Sequence, residues 1–250
     1  MKGVRKPAGR GAAGGKAKPP GRRILVLDVG GTNVKVRLSG SDAVHKIPSG
    51  RKMTAEWMVS AVLDLARTWR YDVVSIGYPG MVYRNRPVVE PMNLAPGWVG
   101  YDFEGAFGRP VKIINDAAMQ ALGSYRGGKM LFLGLGTGLG TALIWDGVLE
   151  PMELGHLHYK GGRTFEQCLG LRGLERLGMK KWRGAVADVV ERLSKAFGVD
   201  EVVLGGGHAK LLAEAPPGAR LGSNANAFAG GFSLWGSAEG TGRMLRCSSG

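Results

Sequence analysis

Twice in this chain an apolar strand runs into a cluster of glycines and returns as a second strand, and no other feature narrows the available folds as much. Ile24-Leu25-Val26-Leu27-Asp28-Val29 stops at Gly30-Gly31, and Val34-Lys35-Val36-Arg37-Leu38 alternates directly after it. Met130-Leu131-Phe132-Leu133 enters a loop from Gly134 to Gly140, and Thr141-Ala142-Leu143-Ile144-Trp145 comes back, with Asp146-Gly147 as a further turn signal. Between and after these hairpins, Val73 to Gly77, Val111 to Ile114 and Glu201 to Leu204 read as buried strands, each ending at a Pro-Gly, Asn-Asp or Gly-Gly-Gly element. Helical spacing covers 54–69, with Thr54 as N-cap, then 116–125, 164–177 and 181–197, and a short helix is expected over 224–230. Strands alternating with helices predict an α/β fold. The duplicated hairpin predicts two related lobes joined near residue 115, with a cleft between them as the natural site.

Charge looks at first like a nucleic-acid signature, since the 250 residues carry a formal +14. Its distribution argues otherwise. Residues 1–23 hold Lys2, Arg5, Lys6, Arg10, Lys16, Lys18, Arg22 and Arg23 without an acid, a contribution of +8 that leaves +6 for the body. Rich in Gly, Ala and Pro, that segment is expected to be a disordered basic tail, read either as a solubilising extension or as an arm that attracts polyanions. No apolar run approaches the ~20 residues of a spanning helix and no secretory stretch opens the chain, so the cytoplasm is the expected location, with no membrane partner. Two cysteines, Cys168 and Cys247, are too few for a disulfide framework.

Four motifs could carry chemistry. Asp28-Val29-Gly30-Gly31-Thr32-Asn33 offers backbone N–H groups and a hydroxyl to an anion, with Asp28 placed to hold a hydrated Mg²⁺; hairpin turns without ligands have the same look. In Gly134 to Gly140 the glycines alternate and a strand follows instead of a helix, so this is neither a dinucleotide fingerprint nor a P-loop. Four glycines in seven residues between apolar strands are entropically costly, and a phosphate-binding loop fits them better than a structural turn. Asn115-Asp116 at a strand end reads first as a helix cap, and alternatively as a carboxylate able to take a proton from an attacking hydroxyl. Glu153-Leu154-Gly155-His156-Leu157-His158, with Glu166 downstream, lacks the helical His-Glu-x-x-His face, so groups that grasp sugar hydroxyls are a better reading than zinc ligands.

Taken together, and in order from Ile24 to Gly231, these pieces resemble the ROK family of sugar kinases, and within it the polyphosphate glucokinases. The resemblance is carried by Leu27 to Asn33, Gly77-Tyr78-Pro79-Gly80, Asn93-Leu94, Ile114-Asn115-Asp116-Ala117, Leu135 to Thr141 with Asp146-Gly147, Glu153-Leu154-Gly155-His156, and Val203-Leu204-Gly205-Gly206-Gly207. It implies a two-lobed, actin-like (ribonuclease H-like) α/β kinase that moves a phosphoryl group from polyphosphate or ATP to the 6-hydroxyl of glucose. Asp116 would be the base. Asn93, Asn115, Glu153, His156 and Glu166 would hold sugar hydroxyls. Asp28, Gly30, Gly31, Thr32, Asn33, Lys35, Gly136, Thr137, Gly138, Gly205, Gly206 and Gly207 would hold the donor, with Mg²⁺ at Asp28.

The resemblance also implies a small lobe over 24–114, a larger lobe over 115–250, and a homodimer. Many members carry a Cys-rich zinc motif after the Gly-His element, whereas this chain has only Cys168 there, so structural zinc is not expected. His158 departs from the Glu that many members of the polyphosphate branch carry. The 23-residue tail is too short for the helix-turn-helix of ROK repressors, and a nucleic-acid partner is not expected. Two alternatives stay open: an ATP-dependent ROK kinase for another hexose, and a non-catalytic regulator that binds sugar or a polyanion. Against the latter stands the retention of Asp116, Asp28 and both glycine loops.

Overall fold

A computed structural model describes residues 21–223 and 225–236, together with the backbone of Arg246–Cys247. The tail expected over 1–23 lies outside these residues except for its last three, and the first strand starts at Ile24.

The first sheet contains β1 (Ile24–Val29), β2 (Asn33–Leu38), β3 (His45–Pro48), β4 (Val73–Tyr78) and β5 (Val111–Asn115), in the order β3-β2-β1-β4-β5. A two-residue ladder, Val82–Tyr83 with Arg86–Pro87, sits apart. The second sheet contains β6 (Lys129–Leu135), β7 (Leu139–Trp145), β8 (Val148–Met152), β9 (Glu201–Gly205), β10 (Ala219–Leu221) and β11 (Arg246–Cys247), in the order β10-β9-β6-β7-β8-β11. Each sheet contains an antiparallel three-strand meander whose first strand pairs with a parallel strand, which pairs with a second parallel strand beyond it; the second sheet adds β11, parallel to β8. The echo between the two hairpins is thus an echo between two whole sheets.

Both sheets are covered on both faces, which is why β1 and β4 are buried at every position and read as continuous apolar runs. Helix α1 (Ala55–Leu65), capped by Thr54, and the short α2 (Phe103–Phe107) pack with Trp98 on one face of the first sheet. Helices α4 (Phe165–Leu169) and α5 (Leu171–Phe197) cover the outer face of the second. Between the sheets lies α3 (Asp116–Ser124): Ala117, Ala118, Ala121 and Leu122 pack on the second sheet, while Met119 packs with Ile24, Val26 and Val73 of the first. Its alanines and glycine are the small residues that a helix wedged between two sheets requires. The last helix among the described residues, α6 (Asn226–Ser233), lies against α3 so closely that a Cβ on Gly230 would stand 1.8 Å from the Met119 carbonyl oxygen. Ser75 of β4 donates to the Gly231 carbonyl at 2.6 Å, so α6 packs on the first sheet.

Several elements differ from expectation. β3 is a polar edge strand with no fully buried residue, and α2 spans five residues, so neither has a strong hydrophobic period. The two helical patterns at 164–177 and 181–197 become α4 and α5. α5 contains a break at Gly178, whose φ of 72° and ψ of 162° lie outside the helical region, close to the expected gap between the patterns. The final helix runs two to three residues later than expected.

Candidate active site

The sheets converge at the start of α3. Asn115, the last residue of β5, is the N-cap: its Oδ1 accepts from the Ala117 and Ala118 amides at 2.9 and 3.1 Å, while its Nδ2 donates to the Gly80 carbonyl at 3.1 Å. Of the pair Asn115-Asp116, the cap role therefore falls to Asn115, and the Asp116 carboxylate is left to face the seam, taking one bond from the Ala117 amide at 2.8 Å. Two glycines permit the close approach. A Cβ on Gly140 would stand 2.6 Å from Cβ of Ala117, and one on Gly77 would stand 3.5 Å from Cα of Asp116 and 2.4 Å from the Met119 terminal carbon. The second glycine loop and the end of β4 thus both press on the first turn of α3.

On the first-sheet side, Asp28 stands directly across the hairpin from Lys35, and Lys35 Nζ donates to Asp28 Oδ2 at 2.7 Å. Asp28 is only 6% exposed, so this is a buried charge with a cation beside it. The turn between them closes through the Gly30 amide donating to the Asn33 carbonyl at 3.1 Å, and Ser49 braces it by donating to the Gly30 carbonyl at 2.6 Å. Gly31 and Thr32 are exposed at its tip. Asn93 lies over this tip: a Cβ on Gly31 would be 3.0 Å from Cβ of Asn93.

On the second-sheet side, the amide of Leu139 donates to Glu166 Oε2 at 3.3 Å, and a Cβ on Gly138 would fall 2.5 Å from the same oxygen. Gly155 packs into the same place, 3.0 Å by the same measure from the Leu139 carbonyl oxygen and 3.4 Å from Cβ of Glu166. Glu166, the Gly155 loop and the second glycine loop are therefore joined. Glu153 and His156 flank Gly155 on a short 3₁₀ turn with Nε2 to Oε2 at 3.6 Å, and both are exposed. Gly205 pairs in register with Gly134, and Gly206, at φ 80°, sits where a Cβ would be 2.3 Å from the Leu135 carbonyl oxygen. The triple glycine is thus docked on the entry to the second loop. Gly136 and Gly207 differ: a Cβ on either would meet nothing within 4 Å, so packing does not call for glycine at these positions.

Electrostatics single out Asp116. Burial, and after it the negative charge of Asp28, push its carboxyl up to about 7, against smaller opposing effects of the Ala117 amide and Lys35. A carboxylate tuned near neutrality, in a seam between two glycine loops, is suited to accept a proton while an anion lies on the loops.

The ROK family model matches residues 24–166, more than half of the chain. The chain belongs to the ROK family. Among its relatives, the polyphosphate glucokinase of Mycobacterium tuberculosis (strain ATCC 25618 / H37Rv) is 27% identical over 204 residues, covering 72% of this chain and 76% of that protein. A bifunctional enzyme NanE/NanK of Brucella melitensis is 27% identical over 208 residues, 77% of this chain but only 37% of that longer protein. Among solved structures, an inorganic polyphosphate/ATP-glucomannokinase from Arthrobacter sp. strain KM superimposes with a TM-score of 0.71 at 23% identity, covering 84% of this chain and 97% of that one. A ROK glucokinase from Streptomyces griseus, solved with glucose and AMPPNP, gives 0.64 at 17% identity, with 84% and 97% covered. This ROK chain thus has the two-lobed actin-like α/β fold of these kinases.

Proposed function

We propose that this ROK protein is a hexose kinase that transfers a phosphoryl group from polyphosphate or ATP to the 6-hydroxyl of glucose. The observation that carries the reading is Asp116: a carboxylate raised to about 7, at the start of the helix both sheets share, between two glycine loops. In this reading Asp116 takes the proton of the attacking hydroxyl as the bond to phosphorus forms. The backbone of Gly30 to Asn33 and of Gly136 to Gly138, with Lys35, holds the donor oxygens in place, since phosphoryl transfer is mostly positioning and charge stabilisation. Asn93, Glu153, His156 and Glu166 orient the sugar. Asn115 joins them through its second role as the cap that fixes Asp116. The lobes divide at 24–114 and 115–250 in the same reading, with α6 returning to the first.

Magnesium fits the acid present. No group of three or more His, Cys, Asp or Glu gathers among the described residues. One carboxylate, Asp28, suits an ion that takes most of its ligands from phosphate oxygens and water. When bound, Mg²⁺ would neutralise charge on the donor.

Kinship with a polyphosphate glucokinase and likeness to a polyphosphate/ATP-glucomannokinase support the choice of donor and acceptor. The test is a panel of donors at fixed glucose and Mg²⁺, read by coupled detection of glucose 6-phosphate. Product from polyphosphate or ATP bears the reading out, and no product from either donor would reject it.

A further inference from the structure

Three arginines converge on an open cavity of about 410 Å³ beside α4, lined by Gly161, Gly162, Arg163, Gln167, Arg172 and Arg176. No carboxylate lines it. Arg163 is delivered by a small hairpin: His158 bridges Thr164, the Tyr159 amide donates to the Arg163 carbonyl at 2.7 Å, and the Arg163 amide donates to the Lys160 carbonyl at 3.2 Å. The two central residues, Gly161 and Gly162, have φ of 60° and 70°, the left-handed pair that a two-residue turn of this kind needs. Arg172 and Arg176 stand four apart on α5, where like charges repel.

The surroundings make this cluster unusual. Nearby, Asp188 pairs with Lys160 at 3.1 Å and Arg192 at 2.8 Å, whereas no ion pair among the described residues includes Arg163, Arg172 or Arg176. Arg176 is held in place by donating to the Gln167 carbonyl at 2.9 Å. The cavity also adjoins the second glycine loop, because the amide of Leu171 donates to the Thr137 carbonyl at 3.2 Å, one residue before Arg172. Arg172 thus follows directly on the residue that ties the start of α5 to this loop.

Resting on the proposed donor chemistry, we infer that Arg163, Arg172 and Arg176 form a distal subsite for the extended part of a linear inorganic polyphosphate. Planar guanidinium forks match successive phosphate oxygens, and each phosphate engaged releases counterions. ATP ends after three phosphates and gains little from such a site.

The test is an equilibrium titration of the full chain and of the double variant Arg163→Gln, Arg172→Gln with long-chain polyphosphate, ATP and single-stranded DNA of matched charge, at several salt concentrations. Thermal melting checks that the variant is folded. The expected result is polyphosphate binding weakened about tenfold or more, with a salt slope shallower by roughly two charges, and ATP affinity unchanged. Unchanged polyphosphate affinity and slope would overturn the subsite, and an equal loss for DNA would make it a general polyanion surface instead. Because binding is measured without turnover, polyphosphate that binds through these arginines but yields no glucose 6-phosphate would reject it as donor while leaving the subsite standing.

Discussion

The charge of Asp28 acts on Asp116: burial first and Asp28 second hold the Asp116 carboxyl up to about 7, and Lys35, bonded to Asp28 at 2.7 Å, moderates the effect. A base must be ionised to work, so kcat/KM for glucose is expected to rise with pH through an inflection near 7. Asp28→Asn removes the second cause and frees Lys35, and both changes favour the ionised form of Asp116. Carboxyl-carbon NMR titration of that variant is expected to show the Asp116 inflection shifted to lower pH; an unmoved inflection would mean that Asp28 does not act on it.

The same shift bears on stability. Asp116 binds its proton more tightly folded than unfolded, so between its unfolded pKa near ~4 and its folded value the native state holds more protons and stability falls as pH rises. Asp116→Asn is therefore expected to stabilise the protein at pH 8 relative to wild type, and to do so less or not at all at pH 4. A difference in Tm of about 2–4 °C, equivalent to ~1 kcal/mol in a protein of this size, is the expected scale. Equal effects at both pH values would contradict the burial argument.

Two glycines of the second loop separate packing from ligand approach. Gly140→Val forces a side chain into Ala117 and is expected to destabilise by about 1–3 kcal/mol while lowering activity, since it pushes the loop from α3. Gly136→Ala meets open space, so its stability should stay within ~0.5 kcal/mol of wild type. Its donor KM should rise roughly tenfold, the effect of ~1.4 kcal/mol. Urea melts and donor titrations of both variants check the contrast; an unchanged donor KM in Gly136→Ala would remove the loop from the donor site.

If polyphosphate is the donor, its KM is expected to rise more steeply with added salt than that of ATP, because more charges are engaged and screened. Initial rates at increasing ionic strength decide this, and parallel salt dependence of the two donors would contradict it.

The hairpins β1–β2 and β6–β7 were legible because alternation and glycine turns are local signals, and so was α1, which Thr54 caps. The edge strand β3 was not: its half-exposed residues carry no pattern, and its place is fixed by pairing with β2. Within the site, Asp28 and Lys35 are seven residues apart yet face each other, as an antiparallel hairpin dictates. The contact of Glu166 with Gly138 is different, since it depends on how α4 docks and no spacing encodes it. On α5, Arg183 donates to the Leu211 carbonyl and, like its neighbours Lys180 and Lys181, does not line the cavity beside α4. The arginines that line a cavity are spread from 163 to 176 over a turn and a helix, and only the fold gathers them.

The most direct test of the account is glucose 6-phosphate production by the wild type and by Asp116→Asn, with polyphosphate and with ATP at fixed glucose and Mg²⁺. The amide keeps the shape but cannot take a proton, so turnover should fall by about 10²–10⁴ with either donor while glucose affinity stays within a few-fold. Near-normal kcat in the variant would contradict the assignment of Asp116 as the base.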